Sequence, residues 1–305
     1  MPSQSIALLL ALIMTALSVV GCQRTPERES DRKRVIRLDR LSPLPPAPKK
    51  PGSRRLRVAV AAILSPRGTV TSYRPLLGYL ERKSGERVEL VQRRTYKEIN
   101  HLIAANEVDL AFICTGAYQQ GRRDGIMRLL VIPRIDGRTT YNSILIAGAA
   151  STARGLEDFR NKVFVFTDPL SNSGYLYPMS LLKRMGERPE TFFKSFSFTY
   201  SHDRSIEAVA DGLADGAFID SIVYRYHRRE DNKTARRTRI VFTSPPFGIP
   251  PVVVPAGQLP GKTVALREIF LHIHEEPQGR KALDALGIER FVEAKTDRYQ
   301  REPCR

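Results

Sequence analysis

The sequence has no tryptophan, three cysteines, no internal repeat and, outside one basic tract, no segment of low complexity. Acidic residues are few relative to basic ones: the sequence has 32 Asp and Glu and 49 Lys and Arg, which gives a formal charge of +17. The longest apolar run, Ile6 to Val20, is shorter than the ~20 residues that a membrane-spanning helix requires. The short apolar run disfavours a membrane-spanning helix. The positive net charge makes an anionic partner a possibility to be weighed.

The apolar run ends in Val19 and Val20, which Gly21 and Cys22 follow, and this pattern is typical of an export signal. It resembles the lipobox of bacterial lipoproteins, although no Lys or Arg lies among the first five residues. The resemblance implies cleavage before Cys22, lipidation of its thiol, and a mature protein anchored to a membrane on the periplasmic or extracytoplasmic face. A buried N-terminal helix is disfavoured by the polar tract that follows.

That tract runs from Gln23 to Arg57 and carries 12 Lys and Arg against 4 Asp and Glu, with five prolines after Leu41. Its composition predicts a disordered stalk over residues 23–55, and the whole tract, Arg57 included, holds +8 of the net charge. The stalk is either a solvated spacer or a contact with anionic lipid headgroups. Nucleic-acid binding through the stalk is a remote alternative and is not expected, because the signal segment predicts export and the charge is concentrated in the stalk.

The rest of the chain alternates strand-like apolar runs with segments of helical periodicity, which predicts an α/β fold with mostly parallel sheets. The first set has helices at Tyr73–Lys83 and Tyr96–Ala105 and strands at 57–61, 88–91, 108–113 and 129–132. A second set begins with the strand Val163–Phe166. It continues with a helix ending near Gly186, a helix from Asp203 to Gly212 with Leu213 on its apolar face, and a strand at 216–219.

Two long extended segments, Tyr141–Ile146 and Pro250–Val254, border the second set and are candidates for crossovers between lobes. A chain that leaves one α/β lobe, completes another and returns forms a clamp whose cleft lies at the lobe junction. We therefore predict a first lobe made of residues 56–142 plus 248–305 and a second lobe made of residues 143–247.

The most informative segment is Thr167–Tyr175, which follows the strand Val163–Phe166 and opens a helix. Backbone N–H groups in the first turn of a helix lack intrahelical partners, and the side chains of Ser171, Asn172 and Ser173 add donors around them. This combination is typical of a cradle for a phosphate-like oxyanion. The same residue types also serve as ordinary caps and turns, so both interpretations are open at this point.

Four ordered motifs extend this pattern along the chain: Val108–Phe112, Asp168–Pro178, Tyr200–Ala217 and Ser244–Pro251. With these motifs the body, over residues 56–290, resembles the substrate-binding proteins of phosphonate and phosphite ABC importers. The resemblance implies the type 2 periplasmic-binding-protein fold, a small oxyanion ligand, and an ABC permease as partner. It also implies a binding protein without enzyme activity, cofactor or metal, and we expect it to be a monomer.

The resemblance implies that Ser171, Asn172 and Ser173 hold the oxyanion. Tyr96, Tyr141 and His202 are expected to close around it, with the His202 ring protonatable at a helix start. Three further residues are possible ligand contacts, namely Cys114, Thr115 and Asp220. Substitution of Ser171 and Ser173 by Ala should weaken oxyanion binding.

The sequence departs from its aminophosphonate-binding relatives at Ile222 and Pro250, where those relatives carry acidic residues for the ligand's ammonium. Because an unpaired ammonium is costly in a desolvated cleft, we expect a ligand without a cationic tail. Asn172 stands where many relatives carry Thr. Pro178 should kink its helix or mark the end of a distorted first turn.

Cys114 follows an apolar strand and allows an alternative function. A free thiol at the cleft could ligate arsenite, and some clamp proteins that resemble this family are arsenite sensors for a histidine kinase. The competing interpretations are a small buried hydrophobic residue and, in an oxidising compartment, a disulfide with Cys304.

Two other groups of residues give little support for a metal site or a catalytic site. His272 and His274 are two residues apart, so on a helix they point to different faces and do not form a metal site. Ser171 and His202 lack the nucleophile-elbow pattern of a hydrolase.

Overall fold

The computed structural model describes residues 55–229, 233–294 and 299, except for the side chain at position 235. The predicted signal peptide, Cys22, Cys304 and all of the predicted stalk except Arg55 lie outside these residues. Arg55 itself opens the first strand.

Thirteen strands are described: β1 Arg55–Val60, β2 Arg87–Gln92, β3 Leu110–Phe112, β4 Met127–Arg134, β5 Thr140–Tyr141, β6 Ser143–Gly148, β7 Val163–Phe166, β8 Ser195–Phe198, β9 Gly216–Asp220, β10 Thr238–Thr243, β11 Phe247–Gly248, β12 Val252–Pro255 and β13 Arg290–Val292. The described α-helices are α1 Pro66–Ser84, α2 Tyr96–Ala104, α3 Thr115–Arg123, α4 Tyr177–Arg184, α5 Pro189–Phe192, α6 His202–Ala210, α7 Ser221–Arg229, α8 Lys233–Arg236, α9 Pro260–His272 and α10 Pro277–Asp284. Short 3₁₀ turns lie at Leu156–Phe159 and Ile273–Glu275, and a π-helical turn at Asn172–Leu176.

The first sheet has the order β13-β4-β12-β3-β1-β2. Strands β2, β1 and β3 are parallel, as the alternation of strands and helices predicts, whereas β12, β4 and β13 run antiparallel to their neighbours. The expectation of a mostly parallel sheet is therefore wrong for this half. Strand β12 returns from the second sheet and enters from the opposite end, which local periodicity does not reveal.

Both faces of the first sheet are covered. Leu56, Val58 and Val60 of β1 pack in one apolar cluster, and the alternate residues Ala59 and Ala61 pack in another. This alternation follows from the two-residue period of a strand, and burial on both faces explains the continuous apolar run of β1.

The second sheet has the order β10-β6-β9-β7-β8 and is built in the same way. Strand β7 pairs in parallel with β8 and β9, and β6 pairs antiparallel with β9. One face is rich in phenylalanine, and the rings of Phe164 and Phe193 stack with centroids 4.5 Å apart. Leu213, expected on the buried face of α6, is 73% exposed because α6 ends at Ala210 and the chain turns at Gly212, where φ is 72°.

The two predicted crossovers are mostly sheet strands. Ser143–Gly148 is the inner strand β6 of the second sheet, and Val252–Pro255 is the inner strand β12 of the first. The chain passes between the sheets at β5 and β11, which pair antiparallel with Tyr141 opposite Phe247. The predicted lobe boundaries at 142 and 248 fall at this two-stranded ribbon.

The loops that follow β1, β3, β7 and β9 all leave the carboxyl ends of parallel-paired strands. Such ends face the ligand crevice in open α/β sheets. Among the residues described, helix length and apolarity nowhere suffice for a transmembrane passage.

Candidate functional site

The loop after β7 adopts an unusual helix start. Ser171 precedes the π-helical turn, and its carbonyl accepts the N–H groups of both Tyr175 at 3.0 Å and Leu176 at 2.9 Å. Its side-chain oxygen accepts the Gly174 N–H at 3.0 Å. Helix α4 follows directly with Pro178 in its first turn, so Pro178 marks the end of a distorted turn, the second of the two outcomes predicted for it.

Two glycines hold this loop close to its neighbours. A Cβ atom at Gly174 would collide with Oγ1 of Thr167, and one at Gly116 would collide with the carbonyl oxygen of Leu170. Gly116 belongs to α3, which follows β3 of the first sheet. Glycine is therefore needed at both positions because the backbone and side chains of facing elements approach too closely for a larger residue.

The side chains of the loop meet residues of both sheets. The Asn172 side-chain amide donates to Oη of Tyr141 at 3.1 Å, and the backbone N–H of Asn172 donates to the Cys114 thiol. Oγ of Ser143 donates to the carbonyl of Ser173 at 2.7 Å. The structure thus brings the predicted residues of the cradle beside Tyr141, which is 31 positions from Asn172 in the sequence, and beside Cys114, which is farther still.

Three buried polar atoms of this cluster have no hydrogen-bond partner in the described part of the chain: Oη of Tyr96, Oγ of Ser173 and Oδ1 of Asn172. Leaving a buried polar atom without a partner costs about 1–3 kcal/mol. Three such atoms in one cluster indicate a place where a polar guest makes the missing hydrogen bonds.

Tyr96 reaches the cluster from the start of α2. Thr95 and Glu98 form a capping box at this helix start, and the backbone N–H of Tyr96 donates to Oδ2 of Asp168 at 3.0 Å. Burial raises the pKa of Tyr96 well above its ordinary value, and nearby Cys114 adds to the shift. The phenol therefore stays protonated and is a hydrogen-bond donor.

His202 lies at the start of α6 and is 1% exposed. Its Nδ1 lies 3.1 Å from Oγ1 of Thr167 and accepts the Asp220 N–H at 3.1 Å, so the proton of the neutral ring is on Nε2. Burial lowers the pKa of His202 to about 3. The expectation that a protonated ring attracts the anion is wrong: the ring is a neutral N–H donor, because desolvation outweighs the attraction of Asp203.

Asp220 lies at the end of β9, directly before α7. Its Oδ1 accepts the Ile222 N–H at 2.6 Å. Burial raises the pKa of Asp220 to about 7, despite opposing hydrogen bonds from the backbone of Ile222 and Val223. Near neutral pH this carboxyl is therefore partly protonated.

Cys114 and Thr115 lie at the junction of β3 and α3. Cys114 is a buried free cysteine, and burial raises the pKa of its thiol to about 11. Thr115 Oγ1 donates to the carbonyl of Gly248 at 2.8 Å. A protonated thiol is a poor ligand for arsenite, and the described residues contain no group of three His, Cys, Asp or Glu side chains suited to a metal ion. The arsenite hypothesis gains no support here.

An apolar cavity of about 110 Å³ adjoins the cluster, and sequence analysis did not predict it. It is lined from the first sheet and its loops by Ala61, Phe112 and Pro250, and from the second by Asp220 and Ile222. The lining includes no Lys or Arg among the described residues. The signal in the sequence that pointed toward the cavity was the presence of Ile222 and Pro250 where aminophosphonate-binding relatives carry acidic residues.

A backbone N–H in the loop after β1 also meets a carboxylate at the start of α6, which sequence analysis missed. The Ser65 N–H lies 2.9 Å from each carboxylate oxygen of Asp203. Hydrogen bonds from Ser65 and Arg204 lower the pKa of Asp203, although burial opposes them. An Asp in the first turn of a helix is a common cap, so its role across the junction had no local signal.

Two sheets of matching topology, joined by a two-stranded ribbon and meeting at a cluster of buried polar groups, define a two-lobed periplasmic-binding-protein fold. The family model described as ABC transporter, phosphonate, periplasmic substrate-binding protein matches residues 58–299. The chain therefore belongs to this family of periplasmic substrate-binding proteins, and the resemblance inferred from its four motifs is confirmed. Proteins of this kind bind substrates for transport, which agrees with the expectation that the chain is not an enzyme.

Two curated relatives match about half of the chain. The phosphate-import protein PhnD of Mycolicibacterium smegmatis is 34% identical over 163 residues, which are 50% of this chain and 51% of that protein. A probable ABC transporter phosphite binding protein, PhnD1 of Prochlorococcus marinus, is 25% identical over 166 residues, 52% of this chain and 56% of that protein. The chain thus spans about half the length of these relatives.

Solved structures share the fold at low identity. A binding protein component of an ABC phosphonate transporter from Pseudomonas aeruginosa superimposes with a TM-score of 0.76 at 21% identity, covering 81% of this chain and 84% of its own. PhnD1 of Prochlorococcus marinus, solved with methylphosphonate, gives a TM-score of 0.72 at 18% identity, covering 81% of this chain and 95% of its own.

Proposed function

We propose that this protein captures a small oxyanion, a phosphonate, phosphite or phosphate-like species, on the extracytoplasmic side of a membrane and delivers it to an ABC permease. The observation that carries the proposal is the cluster of buried, unpartnered polar atoms at Tyr96, Asn172 and Ser173. Family membership and the names of the relatives support the same class of ligand.

The donors of the cluster suit an anion without requiring a formal positive charge. The phenol of Tyr96, the hydroxyl of Ser173 and Nε2–H of His202 are neutral donors, and a helix start adds oriented backbone dipoles. A half-turn of the Asn172 amide would let Tyr141 donate to its oxygen and free its NH₂ group for the ligand. Ser171 contributes by capping, since its oxygen holds the Gly174 N–H.

We further propose that the lobes, residues 56–142 plus 248–305 and residues 143–247, close by hinge motion at β5 and β11. Such closure sequesters the ligand and gives the partner a distinct shape to recognise. The hydrogen bonds between Ser65 and Asp203 favour the closed arrangement.

The membrane anchor at Cys22 also remains a proposal. Mass spectrometry of the mature protein should find a diacylglyceryl group on an N-terminal Cys22. An unmodified mature N-terminus at another residue would contradict the anchor and leave the binding function untouched.

The binding function is tested by isothermal titration calorimetry with phosphate, phosphite, methylphosphonate and sulfate. At least one phosphorus oxyanion should bind, and Ser173→Ala should weaken it about tenfold, which corresponds to the roughly 1.4 kcal/mol expected for a lost hydrogen bond to a charged group. Ser180→Ala is the matched control, because Ser180 is also buried but bonds to the Tyr177 carbonyl in α4.

Two results would contradict the proposal. One is the absence of binding by every phosphorus oxyanion to the folded protein. The other is a loss of affinity of the same size in both serine variants, because that would mean that Ser173 acts through stability and not through contact with the ligand.

A further inference from the structure

The apolar cavity beside the oxyanion cluster has the position of a subsite for the rest of the ligand. Asp220 belongs to both, since it lines the cavity and its backbone N–H holds Nδ1 of His202 in the cluster. Ile222 lines the cavity and also packs against the apolar cluster that contains Tyr96 and Cys114. A guest whose oxyanion meets Tyr96 and Ser173 therefore has the cavity as neighbouring space.

Three hydroxyl groups of the cavity wall already take part in hydrogen bonds within the protein. Oγ1 of Thr69 donates to the Leu64 carbonyl, and the hydroxyls of Ser72 and Tyr226 bond to each other at 3.2 Å. A polar substituent that approaches these three hydroxyls would therefore compete with hydrogen bonds that already exist. Apolar side chains such as Phe112 and Ile222 gain by contact with carbon, because that contact removes both surfaces from water.

The one carboxyl in the wall is poorly suited to an ammonium. Asp220 accepts backbone N–H groups at the start of α7, and its burial leaves it partly protonated near neutral pH. Ile222 and Pro250, which share the wall, supply no charge. A cationic substituent would lose its hydration for one incompletely ionised partner.

The size of the cavity sets the scale of the substituent. A volume of about 110 Å³ is somewhat below the ~150 Å³ of apolar cavities that hold a benzene-sized guest. A short alkyl chain fits this space, whereas phosphite or phosphate leaves it empty.

From these observations we infer that the ligand is an organophosphonate with a short apolar substituent, which the cavity between Ala61, Phe112 and Ile222 receives. This inference rests on the proposed function and narrows its ligand class. It places the specificity of the protein in the carbon side of the ligand, with the oxyanion cluster common to all members of the class.

The test is calorimetric titration of the protein with phosphite and with methyl-, ethyl-, n-propyl- and 2-aminoethylphosphonate. Each added methylene should tighten binding about fourfold, the value expected for its transfer from water to an apolar site. The last two compounds have the same number of heavy atoms and differ in a terminal CH₃ or NH₃⁺. The n-propyl compound should bind at least tenfold more tightly than the aminoethyl compound.

Ile222→Glu places a carboxylate in the wall and should invert the preference within this matched pair. Ile222→Gln keeps the length without the charge and should not invert it. Ile240→Glu, on the exposed side of β10, should leave the ratio as in the parent protein. Ala61→Val narrows the cavity and should remove most of the gain from methyl to n-propyl, which gives a second readout if a Glu variant fails to fold.

The outcomes separate the two proposals. If phosphite or methylphosphonate binds as tightly as n-propylphosphonate, or the aminoethyl compound binds more tightly, the apolar subsite is refuted and the oxyanion function stands. If Ile222→Glu leaves the ratio unchanged, Ile222 does not face the substituent and the inference is again refuted. If no phosphorus compound binds, the proposed function itself fails.

Discussion

Asp220 and His202, joined by a hydrogen bond at the heart of the candidate site, should give the protein opposing pH dependences of stability. Burial raises the pKa of Asp220 from 3.8 to about 7, so the folded protein holds a proton there that the unfolded chain releases above its own pKa. The free energy of unfolding therefore falls as the pH rises from about 4 to about 7, by about 4 kcal/mol for a shift of this size.

His202 acts in the opposite direction. Burial lowers its pKa from 6.5 to about 3, so below pH 6.5 the unfolded chain binds a proton that the folded protein refuses. This contribution to the free energy of unfolding is complete above the unfolded pKa and is lost as the pH falls toward about 3, by about 5 kcal/mol. Between about pH 4 and 6.5 the two contributions largely cancel.

Asp220→Asn removes one side of this balance. We expect the difference in free energy of unfolding, variant minus parent, to rise by about 4 kcal/mol from pH 4 to pH 8. Hydrogen bonds that the amide introduced by Asp220→Asn gains or loses do not depend on pH, so they shift the difference in free energy of unfolding by the same amount at every pH. Other carboxyls titrate equally in both proteins and cancel.

The assay is urea unfolding followed by far-ultraviolet circular dichroism, since the chain has no tryptophan for fluorescence. Asp211→Asn is the control, because Asp211 lies on the surface and pairs with Arg237 at 2.7 Å; its difference should change by less than about 1 kcal/mol. A difference for Asp220→Asn as flat as that of the control would refute the assignment of Asp220 as a buried, proton-holding carboxyl.

Three further changes test the loop, the lobe contact and the core. Gly174→Ala should lower the free energy of unfolding by about 1–3 kcal/mol, because the added Cβ collides with Oγ1 of Thr167, and it should also weaken oxyanion binding. Gly148→Ala is the control: it has open space around the added Cβ and should bind the oxyanion as the parent protein does. Asp203→Ala should weaken oxyanion binding about tenfold in calorimetry because it removes the contact with Ser65, while the control Asp211→Ala should not weaken it. Equal affinities of the Asp203→Ala variant and the parent protein would argue against a role of this contact in closure. Phe164→Ala should cost about 3–5 kcal/mol in the same unfolding assay because its ring is fully buried, and a cost below about 1 kcal/mol would contradict the packing described.

The sequence determined the elements whose causes are local. The run Val163–Phe166 is a strand with the predicted bounds, and α2 begins at Tyr96 as expected, where Thr95 and Glu98 cap it. The segment after β7 starts a helix because Ser171 is a cap residue and Gly174 permits close approach. Together with the four ordered motifs, these signals were enough to identify the family.

The paths between the sheets were predicted less well. Tyr141–Ile146 and Pro250–Val254 are extended, as predicted, but most of their residues lie in β6 and β12. Apolar periodicity reports that a segment is extended and buried, and it does not report which strand it pairs with. Pairing is decided by contacts between residues about a hundred positions apart, such as Ser143 and Ser244.

The charge states of the candidate site were decided by tertiary structure alone. His202 was expected to be protonatable and is a neutral donor, and Asp220 is partly protonated near pH 7, because both are enclosed by residues distant in sequence. The residue type fixes which groups can titrate, whereas desolvation fixes where they do. The apolar cavity has the same origin, because its walls come from both lobes and exist only once the two sheets meet.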